Sequence, residues 1–303
     1  MGNNLEEIKI LCICDNHYIV LLAALIKSIE QNHHSGEPIE FIIVDDQITE
    51  SNRKKLTSSF TNKDIKFRWI PIKNCISKTV KLPTDKSSLP LNIYVRLLIQ
   101  DFIPQDIKRL IYMDVDMIVL DDISKIWHVD FQSKTVAAVQ DQFIQIAERW
   151  GGIANYTDFG LKADSKYFNA GLIVIDMEQW RQKDISNKVL DCLHEHREHA
   201  LYQDQYGLNA ILGNDWVELD PLWNRFAYSE EDKPYLIHFT GRKPIYKTYN
   251  YRKDYQEKFF FYLRQTQWKN FKPIGETRRY LKKAVNLMEK FRNILSKKMN
   301  NNN

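Results

Sequence analysis

Two carboxylates open the chemistry of this chain. The run I-Y-M-D-V-D-M-I-V-L from Ile111 to Leu120 is apolar apart from Asp114 and Asp116. In an extended chain successive side chains alternate faces, so acids two apart point the same way and can share one divalent cation. A carboxylate taken out of water without a compensating charge is costly. A hard cation, Mn2+ or Mg2+, supplies that charge on oxygen ligands and can in turn hold a diphosphate. A D-x-D alone is short, and a strand ending in a solvated acidic turn reads the same way.

Other stretches carry residues suited to the same work. Asp15 and Tyr18 follow the first strand, at the edge where open α/β sheets bind nucleotides. His238 closes the last strand in I-H-F-T-G-R-K-P and offers a third metal ligand. Gly241 and Lys243 lie just beyond it, and a lysine beside a glycine turn is well suited to a phosphate oxygen. The structural alternatives are a core aromatic at Tyr18, a satisfied core histidine at 238, a helix cap at Asp204 and Gln205, and an ion-pair brace at Arg96.

The elements that must position these residues alternate strand and helix, which is the pattern of an α/β domain. Strands are expected at Ile8–Cys14, Ile39–Val44, Ile65–Ile70, Lys108–Met113, Val136–Val139, Tyr167–Ile175 and Tyr235–Phe239. Helices are expected over about Tyr18–Glu30, from Thr49 or Ser51 to about Phe60, Leu91–Gln100, from Met177 onward, Asn187–His199 and Gln203–Leu212. Lys73 to Pro90, rich in Lys, Ser, Thr and Pro, reads as a long loop of the kind often used as a lid. Gly171 inside a strand marks a close approach of backbone or ligand.

The 303 residues, 44% hydrophobic and 12% aromatic, are enough for a substantial core. Basicity is confined to one end. Arg278 to Met299 holds eight Lys and Arg against one Glu, so the rest of the chain is mildly acidic. That excludes nucleic acid as partner of the main body, which would need a basic face. Cys12, Cys14, Cys75 and Cys192 form no C-x-x-C pair, and the first apolar run, Ile19–Ile26, is preceded by acids and a His rather than by a basic stretch. These features read as reduced thiols in a cytoplasmic chain without a spanning helix.

Taken together, the sequence resembles family 8 glycosyltransferases, retaining enzymes of the GT-A fold that include bacterial lipopolysaccharide galactosyl- and glucosyltransferases and glycogenin. The resemblance runs from about Ile8 to Pro244. It rests on D-N-H-Y at 15–18, Y-V-R-L at 94–97, Y-M-D-V-D at 112–116, Y-F-N-A-G at 167–171, Y-Q-D-Q at 202–205 and H-F-T-G-R-K-P at 238–244. It implies a Rossmann-like mixed sheet flanked by helices, with residues 1–250 as catalytic domain and 251–303 as a helical, basic tail. It implies that Asp114, Asp116 and His238 hold Mn2+ (or Mg2+) against the diphosphate of UDP-galactose or UDP-glucose. Asp15 and Tyr18 would hold uridine and Arg96 the sugar or phosphates. Asn169, Ala170 and Gly171 would hold the donor sugar, Gly241 and Lys243 the diphosphate, and Asp204 and Gln205 would line the reacting face. The acceptor would be a glycan, a glycoprotein or lipopolysaccharide. Because Gln205 is an amide, attack by the acceptor from the leaving-group face is favoured, with Asp204 in reserve as a nucleophile.

Two rivals stand beside this reading. A phosphohydrolase of the haloacid dehalogenase type also has an apolar strand with D-x-D. It usually carries the motif on its first strand, whereas several strands precede it here and no good G-D-x-x-x-D follows. An idle scaffold of the same fold is opposed by the intact Asp114, Asp116, His238 and Lys243. In the tail, Leu281, Ala284, Val285, Met288, Phe291 and Leu295 recur at helical spacing among Lys and Arg. Such a helix suits either the inner face of an anionic membrane or packing on the enzyme or a second subunit. His33, His34, His194, His196 and His199 read as solvated and receive no role.

Overall fold

The computed structural model describes residues 5–77, 80, 91–148, 150–200, 203–230 and 233–277. The elements in chain order are β1 Ile8–Asp15, α1 Ile19–Asn32, β2 Ile39–Asp46, α2 Glu50–Thr57, β3 Ile65–Pro71, α3 Ile99–Phe102, β4 Arg109–Met113, β5 Met117–Val119, α4 Ser124–Trp127, β6 Val136–Gln145, β7 Lys166–Asp176, α5 Met177–Gln182, α6 Ile185–Glu195, α7 Gln203–Leu212, β8 Trp216–Glu218, β9 Arg225–Phe226, β10 Leu236–His238 and α8 Lys253–Leu263.

Seven strands form one mixed sheet in the order β3-β2-β1-β4-β7-β6-β8. The first four are parallel, β7 runs antiparallel to both its neighbours, and β8 is parallel to β6. β2 is buried on both faces until its final aspartate, as its unbroken I-E-F-I-I-V run requires of a central strand covered by helices. α1 is buried from Ile19 to Ile29 because it lies under β5 and α8. α2, by contrast, buries only Leu56, and the Thr49 hydroxyl caps it by accepting from the Asn52 amide.

The apolar run Ile111–Leu120 is broken at the aspartates, and the strand expected to end at Met113 ends there. β4 ends at Met113, Asp114 to Asp116 turn, and β5 joins a second sheet, β5-β10-β9. Each side of the break is fastened differently: the Asp114 amide donates to the Gly171 carbonyl in the large sheet, at 2.8 Å, and the Asp116 carbonyl accepts from the Phe239 amide in the small one, at 2.8 Å. The two acids therefore sit where the chain changes sheet.

The expected helix Leu91–Gln100 is a 3-10 run over Leu91–Leu98 that becomes α3. A three-residue period sets Tyr94 in line with Leu97 and Val95 with Leu98, all four buried. The strand expected at Val136–Val139 extends to Gln145, with slips in its pairing to β7 after Ala138 and after Gln140. Residues 251–277 pack into the body, where Tyr255, Phe259, Leu263 and Trp268 share the core of α1. Most of the stretch read as a loop at 73–90, and all of the basic tail from 278, lie outside the described residues. All four cysteines are free and buried. No helix among the described residues is long and apolar enough to cross a membrane.

Candidate active site

β10 runs antiparallel to β5 with His238 opposite Met117, so the ladder itself carries the imidazole beside Asp116. His238 Nε2 lies 3.5 Å from Asp116 Oδ1 and 3.9 Å from Asp114 Oδ2. One ligand atom from each of the three residues falls within 4.8 Å of the others. Ligands on one ion with bonds of about 2.2 Å are roughly 3–4 Å apart, so the cluster fits a hard divalent cation.

Gly171 makes this approach possible. A Cβ there would stand 2.5 Å from His238 Cε1 and 3.0 Å from Asn169 Oδ1. The glycine signal in the strand is thus a close approach of an imidazole.

A chain of amides behind His238 fixes its proton. Asn169 Oδ1 accepts from the Gly171 amide at 3.0 Å, so its Nδ2 is the group that donates to Asp141, at 3.0 Å. Asn224 must then donate its own NH2 to Asn169 Oδ1, at 3.0 Å, which turns the Asn224 oxygen toward His238 Nδ1 at 2.9 Å. An oxygen there requires a proton on Nδ1 and leaves Nε2 as the ring nitrogen that faces the aspartates.

Gln205 extends the chain: its oxygen accepts from the Ala170 amide at 2.9 Å and from Asn169 at 3.2 Å. Asn169, Ala170 and Gln205 are therefore locked into one wall, with Asp141 beneath it.

Two bases complete the charge balance. Arg96 donates to the Ala170 carbonyl at 2.8 Å and pairs with Asp114 at 3.1 Å and Asp204 at 2.9 Å, lying 4.5 Å over the Tyr112 ring. Burial pushes the Asp204 carboxyl up, against Arg96, which pulls it down, while Asp114 adds to the rise. Lys243 pairs closely with Asp116 and donates to the Phe239 carbonyl at 2.9 Å. Burial alone would raise the Asp116 carboxyl, but Lys243 and His238 outweigh it and hold it well below the usual carboxylate range.

These groups line one cavity of about 1010 Å³: Arg96, Asp114, Asp116, Asn169, Ala170, Gly171, Asp204, Gln205, His238, Gly241 and Lys243 all face it. Gly241 has φ +70°, and a Cβ on it would meet the Tyr251 hydroxyl at 2.8 Å, so only glycine fits without strain.

Asp15 and Tyr18 are not among the residues facing this cavity. They stand at the carboxyl end of β1, where Asp15 Oδ1 accepts from the His17 and Tyr18 amides at 2.8 and 2.9 Å and turns the chain into α1. His17 Nε2 meets the Tyr246 hydroxyl at 2.9 Å, and Asn16 accepts from the Thr49 amide at 3.0 Å.

Sequence reading missed Asp141, Asn224 and the aromatic residues Trp150, Phe226, Tyr228 and Tyr251 in and around this cavity. Asp141 could have been found as an acid ending the buried run V-A-A-V-Q; Asn224 has no sequence signal.

The family model described as Glycosyl transferase family 8 matches residues 9–245. General stress protein A of Bacillus subtilis is 30% identical over 286 residues, covering 87% of this chain and 95% of that one. Glycosyltransferase GlyA of Streptococcus pneumoniae is 23% identical over 268 residues, covering 85% of this chain but 35% of the relative. Among solved structures, galactosyltransferase LgtC in complex with donor and acceptor sugar analogs superposes with a TM-score of 0.70 at 21% identity, over 87% of this chain and 99% of that one. At that identity the likeness establishes the fold, GT-A.

Proposed function

The chain belongs to glycosyltransferase family 8, and from that premise we propose that it transfers galactose or glucose from a UDP-sugar to a glycan-bearing acceptor, with retention and with a divalent cation. Membership sets aside the phosphohydrolase. The observation that carries the rest is the convergence of Asp114, Asp116 and His238, whose Nδ1 is turned to the Asn224 oxygen. These three would hold Mn2+ or Mg2+, which when bound supplies positive charge for the departing diphosphate. That LgtC is a galactosyltransferase solved with donor and acceptor sugar analogs supports a hexose donor.

The chain's own residues do the rest. Lys243, within reach of Asp116, gives its ammonium to a phosphate oxygen when the donor enters. Gly241 gives the phosphates a close backbone. Asn169, Ala170 and Gly171 form the wall for the donor sugar, and Gln205 keeps that wall rigid through its two accepted hydrogen bonds. Arg96 braces Asp114 and Asp204, so Asp204 is a poorly placed nucleophile and Gln205 a poor one by chemistry. Attack by the acceptor hydroxyl from the leaving-group face follows, through an oxocarbenium-like state. Asp15 and Tyr18 belong to the uridine end.

The test is Mn2+-dependent release of UDP from UDP-galactose and UDP-glucose. Asp114→Asn and Asp116→Asn should each lose about 100-fold or more in turnover. Full turnover by both variants, or after complete chelation, overturns the proposal. Absence of any turnover in the intact chain with every UDP-hexose would favour the idle scaffold.

A further inference from the structure

We infer that Glu276 and Arg242 are a pair of positioning residues for the donor diphosphate: they fasten the loop that carries Gly241 and Lys243 to a strap, residues 274–276, that lies beyond the family match at 9–245. The inference rests on the donor reading above and adds to it two residues that do not line the cavity.

Gly241, at φ +70°, turns the chain so that its neighbours part. Lys243 reaches back to Asp116 and the Phe239 carbonyl. Arg242 turns the other way and donates to the Thr248 carbonyl at 2.9 Å and to Asn250 Oδ1 at 3.2 Å. Further along the same loop, the Tyr246 hydroxyl meets His17 Nε2 at 2.9 Å and stands 3.5 Å from the Tyr18 hydroxyl. One short loop therefore runs from the diphosphate end of the site to the end proposed for uridine. The donor's own length fixes the span between them, so a slip of the loop by about 1 Å misplaces one end or the other.

The loop takes its support from later in the chain. The Ile274 amide donates to the Ile245 carbonyl at 2.9 Å, and the Lys247 amide donates to the Ile274 carbonyl at 2.9 Å. Gln256 of α8 donates to the Pro244 carbonyl at 2.8 Å. Two residues past Ile274, Glu276 Oε1 accepts from the Thr248 hydroxyl at 2.6 Å and faces Arg242 Nε at 3.2 Å. A single carboxylate oxygen thus ties residue 242 to residue 248 and both to the strap. Contacts made by an ionised acid are the stronger kind, and the Glu276 side chain is 7% exposed. The Arg242 side chain is 34% exposed. Removing the acid leaves the guanidinium in contact with water, so the loss falls on the order of the loop rather than on the core.

The experiment is titration calorimetry of the full chain with UDP at saturating Mn2+, and with Mn2+ alone. The Kd for UDP should rise about tenfold in Glu276→Ala and in Arg242→Ala, and less in Glu276→Gln, which keeps an acceptor for the Thr248 hydroxyl. The double alanine variant should be no worse than about either single one, as befits two residues that act through one contact. Affinity for Mn2+ alone should stay within about twofold, since neither residue touches Asp114, Asp116 or His238. Thermal melting of each variant checks the fold, and should Glu276→Ala not fold, Arg242→Ala and Glu276→Gln decide the matter. Unchanged Kd for UDP in the single variants, tighter UDP binding without Glu276, additive losses in the double variant, or an equal loss of Mn2+ affinity overturns the inference. Failure of UDP to bind the unaltered chain sinks the donor reading instead, so the two failures are told apart.

Discussion

The proton on His238 Nδ1 decides whether the imidazole can serve a cation, and Asn224 holds that proton in place. Asn224→Ala should weaken Mn2+ binding by about 10–100-fold, the usual effect of removing the partner behind a ligating histidine. Titration calorimetry with Mn2+ reads this directly, and an unchanged affinity would remove Asn224 from the account. Gly171→Ala should do similar damage by another route. Its methyl would lie 2.5 Å from His238 Cε1, and the imidazole is buried and has little room to give. A loss of Mn2+ affinity of at least about tenfold is expected with the protein still folded. At this scale the sequence disclosed the groups whose chemistry is in their type: the paired acids, the histidine and the lysine beside glycine. It did not disclose Asn224, because an amide earns its role only from the neighbours that orient it. Nor did it show that Asp15 Oδ1 also holds the turn into α1.

Between elements, the alternation of apolar runs revealed the order of strands and helices, and most core strands fall within a residue or two of their expected limits. What alternation could not reveal is that the run beyond Asp116 passes into a second sheet. An apolar run looks the same whether it stays in one sheet or passes into another, and the partners of β5 and β10 are far apart in sequence. His33 was also misjudged as solvated. It joins a cluster at the end of α1 where the Asp122 carboxylate accepts from the His34 and Ser35 amides at 2.7 and 2.9 Å, from the Ser124 amide at 3.0 Å, and contacts His33 Nδ1 at 3.0 Å. Burial pushes that carboxyl up, but the amides of His34 and Ser124 outweigh it and hold it well below the ordinary range. A carboxyl depressed by folding contributes stability above its unfolded pKa, about 3.9, and loses it as pH falls through the folded value. Melting temperature should therefore drop as pH falls below about 4, and Asp122→Ala should flatten that drop while costing about 3 kcal/mol at neutral pH. An unaltered pH profile in the variant would contradict the assignment.

Over the whole molecule, the sheet brings the carboxyl ends of β1 and β4 and the middle of β7 toward one side, and β10 closes it from the second sheet. The general α/β architecture was legible because strand and helix alternate with different periods. The inclusion of 251–277 in the core was not, because aromatic residues such as Tyr255 and Phe259 acquire meaning only against α1. For the basic tail, binding of the full chain and of residues 1–277 to vesicles containing phosphatidylserine separates the two readings. We propose a peripheral membrane contact, for which only the full chain should bind; equal binding assigns the tail to packing on protein.

The central claim is a cation held by residues from both sheets, and anomalous diffraction from crystals grown with Mn2+ and UDP tests it most directly. The expected result is one strong peak at about 2.2 Å from a carboxylate oxygen of Asp114, one of Asp116 and Nε2 of His238. A peak bound elsewhere, or none at this cluster with UDP in place, would contradict it.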